Sequence, residues 1–215
     1  MKNVLPIIVT FLLSLSANAQ NLLAISPELI TENSMVKAEK TTVAKTSLKA
    51  ADYKNLVKEY SATLKTNPKD ADTYYKRGEA YRALKDYKEA IADYNVTIKF
   101  NPTNTTAIYN RGLSRMHLGD FRGAYGDLSK VVKSNPNDKE AYYNRALCRM
   151  NMDNARGAIS DFNMVLKLDP NDTEAYYNRG IMKFETSDNK GACADWNKIA
   201  EKDPRAVRAL KKYCK

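Results

Sequence analysis

ADTYYKRGEAYRALKDYKEAIADYNVTIKFNPTN, residues 71–104, is the stretch that decides the fold. In its first part Tyr74, Gly78 and Tyr81 recur at helical spacing. After Lys85-Asp86 a second set, Tyr87, Ala90, Ile91, Tyr94 and Ile98, lines one face of another helix. Pro102 ends that helix, because proline has no N–H to donate and disfavours helical geometry in the residue before it. Small residues at Gly78 and Ala90 let the two helices approach closely. A lone pair of this kind cannot bury its apolar face, so it is expected to stack on others.

The rest of the chain supplies those others. Asn67-Pro68, Asn101-Pro102, Asn135-Pro136, Asp169-Pro170 and Asp203-Pro204 recur every 34 residues. The same interval links Tyr75, Tyr109, Tyr143 and Tyr177, and Arg77-Gly78, Arg111-Gly112, Arg145-Ala146 and Arg179-Gly180. It also links Asp93, Asp127, Asp161 and Asp195. Several columns sharing one period identify a repeat array. The sequence therefore predicts an all-α fold, a right-handed α-solenoid of stacked helix-turn-helix units. Each Arg has an Asp sixteen residues later, which predicts an Arg–Asp ladder between helices, with an anion site as the alternative.

These columns resemble the tetratricopeptide repeat over residues 71–204. The family's pattern of aromatic, small and Pro positions stands here as Tyr74, Gly78, Tyr81, Ala90, Tyr94, Thr97 and Pro102. Later units keep Gly112, Ala124 and Pro136; Ala146, Ala158, Phe162 and Pro170; and Gly180, Ala192, Trp196 and Pro204. Four units follow: 71–104, 105–138, 139–172 and 173–206. Residues 52–68, DYKNLVKEYSATLKTNP, align with the second helix of the first unit, so 37–70 reads as a degenerate or half unit. Residues 207–215 are expected to form a capping helix.

The two ends carry other signals. Lys2, an apolar run from Val4 to Leu15 and Ala17-Asn18-Ala19 compose a cleaved signal peptide over 1–19, with Gln20 after the cut. The run is too short to span a bilayer, and no later segment is apolar enough to do so. The expectation is an exported protein, periplasmic or secreted, without a transmembrane segment in the mature chain, and residues 20–36 are read as a flexible leader. The formal charge of +10 gathers at the ends: residues 37–69 and 198–215 carry +5 each, while 70–197 carry only +1. A nucleic-acid track needs bases along its binding surface, so no nucleic acid is expected.

The resemblance also implies a concave groove lined by first-helix positions. Here these bring Tyr75, Tyr109, Tyr143 and Tyr177 together with an apolar strip of Leu113, Met116, Leu147, Met150, Ile181 and Phe184. Asp72, Glu140 and Glu174 form an acidic edge. Asn110, Asn144 and Asn178 are read either as holding a peptide backbone or as packing within the scaffold. Tyr and Met suit broad, adaptable contact, so the partner expected is a protein or peptide. The family's clamp for a chaperone carboxylate tail is not present: Tyr75, Glu79 and Glu140 or Glu174 stand where it needs Lys and Asn.

Three cysteines and one histidine show no zinc spacing, nucleophile motif or phosphate loop, so neither enzyme activity, metal nor cofactor is expected. In the repeat fold a capping helix lies across the last unit, which would let Cys193 and Cys214 meet as a disulfide in an oxidising compartment. Cys148 is read as a buried small residue. The competing function is a structural subunit of an envelope or secretion complex, using the ends or the convex face.

Overall fold

The computed structural model of the chain describes residues 48–214. The expected signal peptide, the leader and the part of the first unit before residue 48 lie outside them. Ten helices and no strand occur among the described residues. They are α1 (Ala50–Thr66), α2 (Ala71–Ala83), α3 (Tyr87–Phe100), α4 (Thr105–His117), α5 (Phe121–Ser134), α6 (Lys139–Met150), α7 (Ala155–Leu168), α8 (Thr173–Glu185), α9 (Asn189–Ile199) and α10 (Pro204–Tyr213). Each helix packs on the next, so α2–α3, α4–α5, α6–α7 and α8–α9 form hairpins that stack in chain order as an all-α solenoid.

Local chemistry explains the punctuation. Asp70, Asn104, Asp138 and Asp172 cap the first helix of each hairpin by accepting backbone N–H groups two or three residues on. The turn inside each hairpin holds one residue in the left-handed region: Lys85, Gly119, Asp153 and Ser187, again 34 apart. Only Gly119 occupies it without a steric cost from Cβ. Pro204 behaves differently from the other prolines of its column. It opens α10 at the first helical turn, where its missing N–H is no loss, and Asp203 caps the helix by accepting from Arg205 N at 2.8 Å. The capping helix thus begins three residues before the boundary that the repeat period gives.

The core forms one large cluster from Ile108 to Ala209 and a smaller one of Ala90, Tyr94 and Ala107 at the other end of the stack. Ala90, Ala124, Ala158 and Ala192 are fully buried where paired helices cross. Tyr94, Leu128, Phe162 and Trp196 fill one column beside them. Burying side chains of this size contributes about 1.5–3 kcal/mol each, before the entropy of ordering them is subtracted.

The Arg–Asp ladder is present in all four hairpins. Arg77 grips Asp93 through Nε at 2.8 Å and Nη2 at 2.7 Å, and Arg111–Asp127, Arg145–Asp161 and Arg179–Asp195 repeat the fork at 2.6–2.9 Å. The remaining Nη1 of each Arg donates to the preceding hairpin or helix, at Ser61, Asn95, Ser129 or Asn163. One guanidinium therefore ties three helices, and its donors are used inside the scaffold. That geometry is structural rather than an open anion site.

Candidate concave interaction surface

The first helices of the hairpins, α2, α4, α6 and α8, carry the residues expected to line a groove. The Tyr column stands along them, but three of its four hydroxyls are engaged. Asn110 Nδ2 donates to Tyr75 Oη at 3.3 Å, Asn144 to Tyr109 at 2.9 Å and Asn178 to Tyr143 at 3.0 Å. Each link joins one unit to the next. A tyrosine hydroxyl drawn into the interior needs a partner, and the Asn of the following unit supplies it.

The Asn column is therefore placed otherwise than a peptide-holding role requires. Asn110, Asn144 and Asn178 are 5%, 1% and 2% exposed, and their amides serve the stack. Most of the apolar strip is interior as well. Leu113, Met116, Tyr143, Leu147 and Ile181 are buried in the larger core cluster, because each first helix packs on its own second helix and on the second helix of the preceding hairpin. Tyr75, Tyr109, Met150, Tyr177 and Phe184 remain half-buried and are what the face presents of the expected set. Exposed Asp72 and the partly exposed Glu140 and Glu174 flank them.

The electrostatics follow from this packing. Burial pushes the Tyr75 hydroxyl up to about 12, and the neighbouring Glu79 carboxylate adds to the rise. Tyr109 is raised in the same way by burial and by Asp138 and Glu140. These phenols stay neutral at ordinary pH and act as hydrogen-bonding, aromatic contact surface. Cys148 is fully buried, and burial with Asp120 and Asp161 nearby pushes its thiol up to about 12, which leaves no thiolate for chemistry. His117 stacks on Tyr87 with ring centroids 4.3 Å apart. Among the described residues no three His, Cys, Asp or Glu side chains are gathered to hold a metal ion. No described helix is long and apolar enough to cross a membrane.

Two features escaped the sequence reading. Glu79 is the hub of a polar cluster: the Tyr94 hydroxyl donates to it, as do Asn110 Nδ2 at 2.8 Å and Arg82 Nη2 at 3.2 Å. At the other end Arg205 reaches Glu174 Oε1 at 2.6 Å and lies 4.4 Å from the centre of the Tyr177 ring. Only the replacement of Leu113, Leu147 and Ile181 by Glu79 in one column hinted at the first. The structure also joins Cys193 to Cys214, with Cα atoms 5.8 Å apart.

Models of the tetratricopeptide repeat match residues 71–104, 109–151 and 140–172. No curated protein sequence matches the chain. Among solved structures, YrrB, described as a TPR protein with an unusual peptide-binding site, superposes with a TM-score of 0.70 at 21% identity. The alignment covers 91% of this chain and 98% of YrrB. MamA from Desulfovibrio magneticus RS-1, from residue 41 onward, gives 0.63 at 22% identity, covering 73% of this chain and 96% of that one. The first TPR of Spaghetti (RPAP3), bound to the HSP90 peptide SRMEEVD, gives 0.52 at 26% identity over 54% of this chain and 93% of its own length. The likeness to YrrB and MamA, at such identities, is one of fold.

Proposed function

Because this chain is a tetratricopeptide-repeat protein, we propose that it is an exported, non-enzymatic scaffold that binds a protein or peptide through its concave face. The observation that carries this reading is the half-buried row of Tyr75, Tyr109, Met150, Tyr177 and Phe184 beside an acidic edge. Aromatic rings held at fixed positions offer contact area at small entropic cost, and the Met adapts to the partner. An amphipathic helix or extended segment with apolar and basic residues suits such a face. Two of the similar structures, YrrB and the RPAP3 repeat, are described with peptide sites. The RPAP3 ligand, the HSP90 peptide SRMEEVD, is acidic on balance, and Tyr75, Glu79 and Glu140 disfavour the same ligand here.

The export part of this reading rests on residues 1–19. Its test is the mass of the mature protein, which should begin at Gln20; a mature chain that keeps Met1 to Ala19 sinks it.

A second reading, a structural subunit of an envelope or secretion complex, gains support from apolar side chains away from the groove. Phe100, Leu118 and Val207 are 43%, 44% and 49% exposed. A photo-crosslinking residue placed at Met150 or at Phe100 separates the two. Crosslinks from position 150 that Tyr109→Ala weakens support the concave face; crosslinks from position 100 alone favour the second reading.

A further inference from the structure

The joints between the hairpins share links that the C-terminal joint lacks. Moving 34 residues on from Asn178, Arg179 and Gly180 gives Lys212, Tyr213 and Cys214. No Asn stands there to serve the Tyr177 hydroxyl, and no Arg to fork onto an Asp. The interface is also thin. α10 buries Ala206 and Ala209. The corresponding helix α6 buries Ala141, Tyr143, Asn144, Ala146, Leu147 and Cys148. With 10 residues, α10 is shorter than helices that persist alone in water.

Other contacts hold α10 in place. Arg205 engages Glu174 and Asp203, each at 2.6 Å, and its guanidinium covers Tyr177. The Tyr213 ring lies 4.6 Å from Phe184 and 6.0 Å from Trp196. The Cys193–Cys214 disulfide then ties the C-cap of α10 to α9. Both cysteines are partly exposed, so a small reductant can reach the bond.

We propose that α10 is a thiol-released cap: the Cys193–Cys214 disulfide keeps it docked on the last hairpin, and reduction lets it leave and uncover the Trp196 end of the stack. A dithiol reductant supplies the two electrons and two protons. One of its thiolates attacks a cysteine sulfur, the S–S bond breaks, and a mixed disulfide forms. Its second sulfur then displaces the protein thiolate, leaving two cysteine thiols and the oxidised, cyclic reductant. Cross-linking a loop of this length shifts the undocking equilibrium on the order of a hundredfold in the chain-entropy picture. Released, the cap leaves Phe184 and Trp196 facing outward, an apolar end on which a further helix can stack. Cap release needs no ligand on the concave face, but it also bares Tyr177, Phe184 and Glu174 at the C-terminal end of that face, since the cap contacts all three.

Trp196 is the only tryptophan in the chain and reports the event directly. The full chain is oxidised in air, and the disulfide is verified by mass after alkylation. It is then treated with dithiothreitol under native conditions. The expected result is greater quenching of Trp196 by acrylamide, with tryptic cleavage after Arg208 and Lys211 faster by about tenfold or more. Helicity falls by no more than about a tenth, the share of a 10-residue helix. The Cys193→Ser, Cys214→Ser double variant shows the released behaviour without reductant. Unchanged quenching and cleavage once both thiols label would overturn the proposal, and so would failure of the bond to form in air. Collapse of most of the helicity on reduction overturns it as well, since the bond would then hold the whole array rather than its cap.

Discussion

The first and fourth hairpins share one backbone plan and fill it with opposite chemistry. In α2–α3 three columns hold Glu79, Arg82 and Tyr94, which form a hydrogen-bonded, partly ionic cluster with Asn110. In α8–α9 the same columns hold Ile181, Phe184 and Trp196, and the rings of Phe184, Trp196 and Tyr213 lie 4.6–6.2 Å apart. The columns they have in common, Arg77/Arg179, Asp93/Asp195 and Gly78/Gly180, set where the helices lie. The columns that differ decide whether a unit's interior rests on directional polar contacts or on apolar burial.

The largest expected effect separates the two hairpins by their ion pairs. Asp195 has two basic partners, Arg179 at 2.6 Å and Lys183 at 2.9 Å. Among the described residues Asp93 has its ion pair with Arg77 alone, because Tyr81 occupies the column that supplies Lys183 in the fourth unit. Arg77→Ala leaves a buried carboxylate uncompensated and should cost about 3–5 kcal/mol. Arg179→Ala should cost about half as much, since Lys183 remains. Urea unfolding of both variants checks this, and equal losses would break the distinction.

Next come the glycines at the helix crossings. A Cβ on Gly180 would meet Trp196 Nε1 at 2.4 Å, and one on Gly78 would meet Tyr94 Cε1 at 2.9 Å. On Gly112 the nearest contacts are 3.4 Å. Gly180→Ala should therefore destabilise by about 1–3 kcal/mol, and Gly78→Ala by less. Gly112→Ala should be neutral or stabilising by up to about 1 kcal/mol, because alanine restricts the unfolded chain and favours helix. Thermal melts in that order support the view that the large side chain across the joint, rather than the repeat pattern, demands glycine.

The contrast between the hairpins also marks what was legible in the sequence. The helices, their order and the Arg–Asp pairing follow from columns at a fixed period, since every unit repeats the same physical demand. The link of Tyr109 to Asn144 recurs as regularly, yet the Asn column by itself reads equally as a peptide contact or as packing within the scaffold. A sequence column says that a residue is needed, and only packing distance says whether a ligand or the next unit needs it. Leu113, Leu147 and Ile181 stand on the helices expected to line the groove, but packing against the neighbouring second helices covers them. The Glu79 cluster breaks the period, and a lone Glu in a column of Leu and Ile does not say which groups it will accept from.

Helix capping gives a smaller difference of the same kind. Asp188 accepts from Gly191 N at 2.9 Å and caps α9. Asp86, its counterpart before α3, makes no side-chain cap bond. Asp188→Ala should cost about 1 kcal/mol, while Asp86→Ala should change stability by no more than a few tenths, about 0.3 kcal/mol. Amide hydrogen exchange in the first turns of α9 and α3 reads the two separately. Matching losses at both sites would remove this distinction between the hairpins.

The smallest effect is one of pH, and in the column of Asn101 and Asp203 it belongs to one end alone. The column that holds Asn101 after the first hairpin holds Asp203 after the fourth. Burial pushes the Asp203 carboxyl up, and hydrogen bonds from the Arg205 side chain and backbone outweigh that and hold it below its ordinary value of 3.8. A carboxyl depressed on folding stabilises the native state at pH above 3.8 and loses that contribution as pH falls through its lower folded value. Burial of the carboxylate opposes the hydrogen bonds from Arg205, so the net contribution is small, about 1 kcal/mol or less. Acidification from neutral pH to 4 should leave the C-terminal end unchanged in this respect, with loosening below 3.8 seen in Trp196 emission. Asp203→Asn should remove that component, as the neutral Asn101 already does at the other end. A Trp196 transition centred above 3.8 that survives Asp203→Asn would assign the acid sensitivity to a different group.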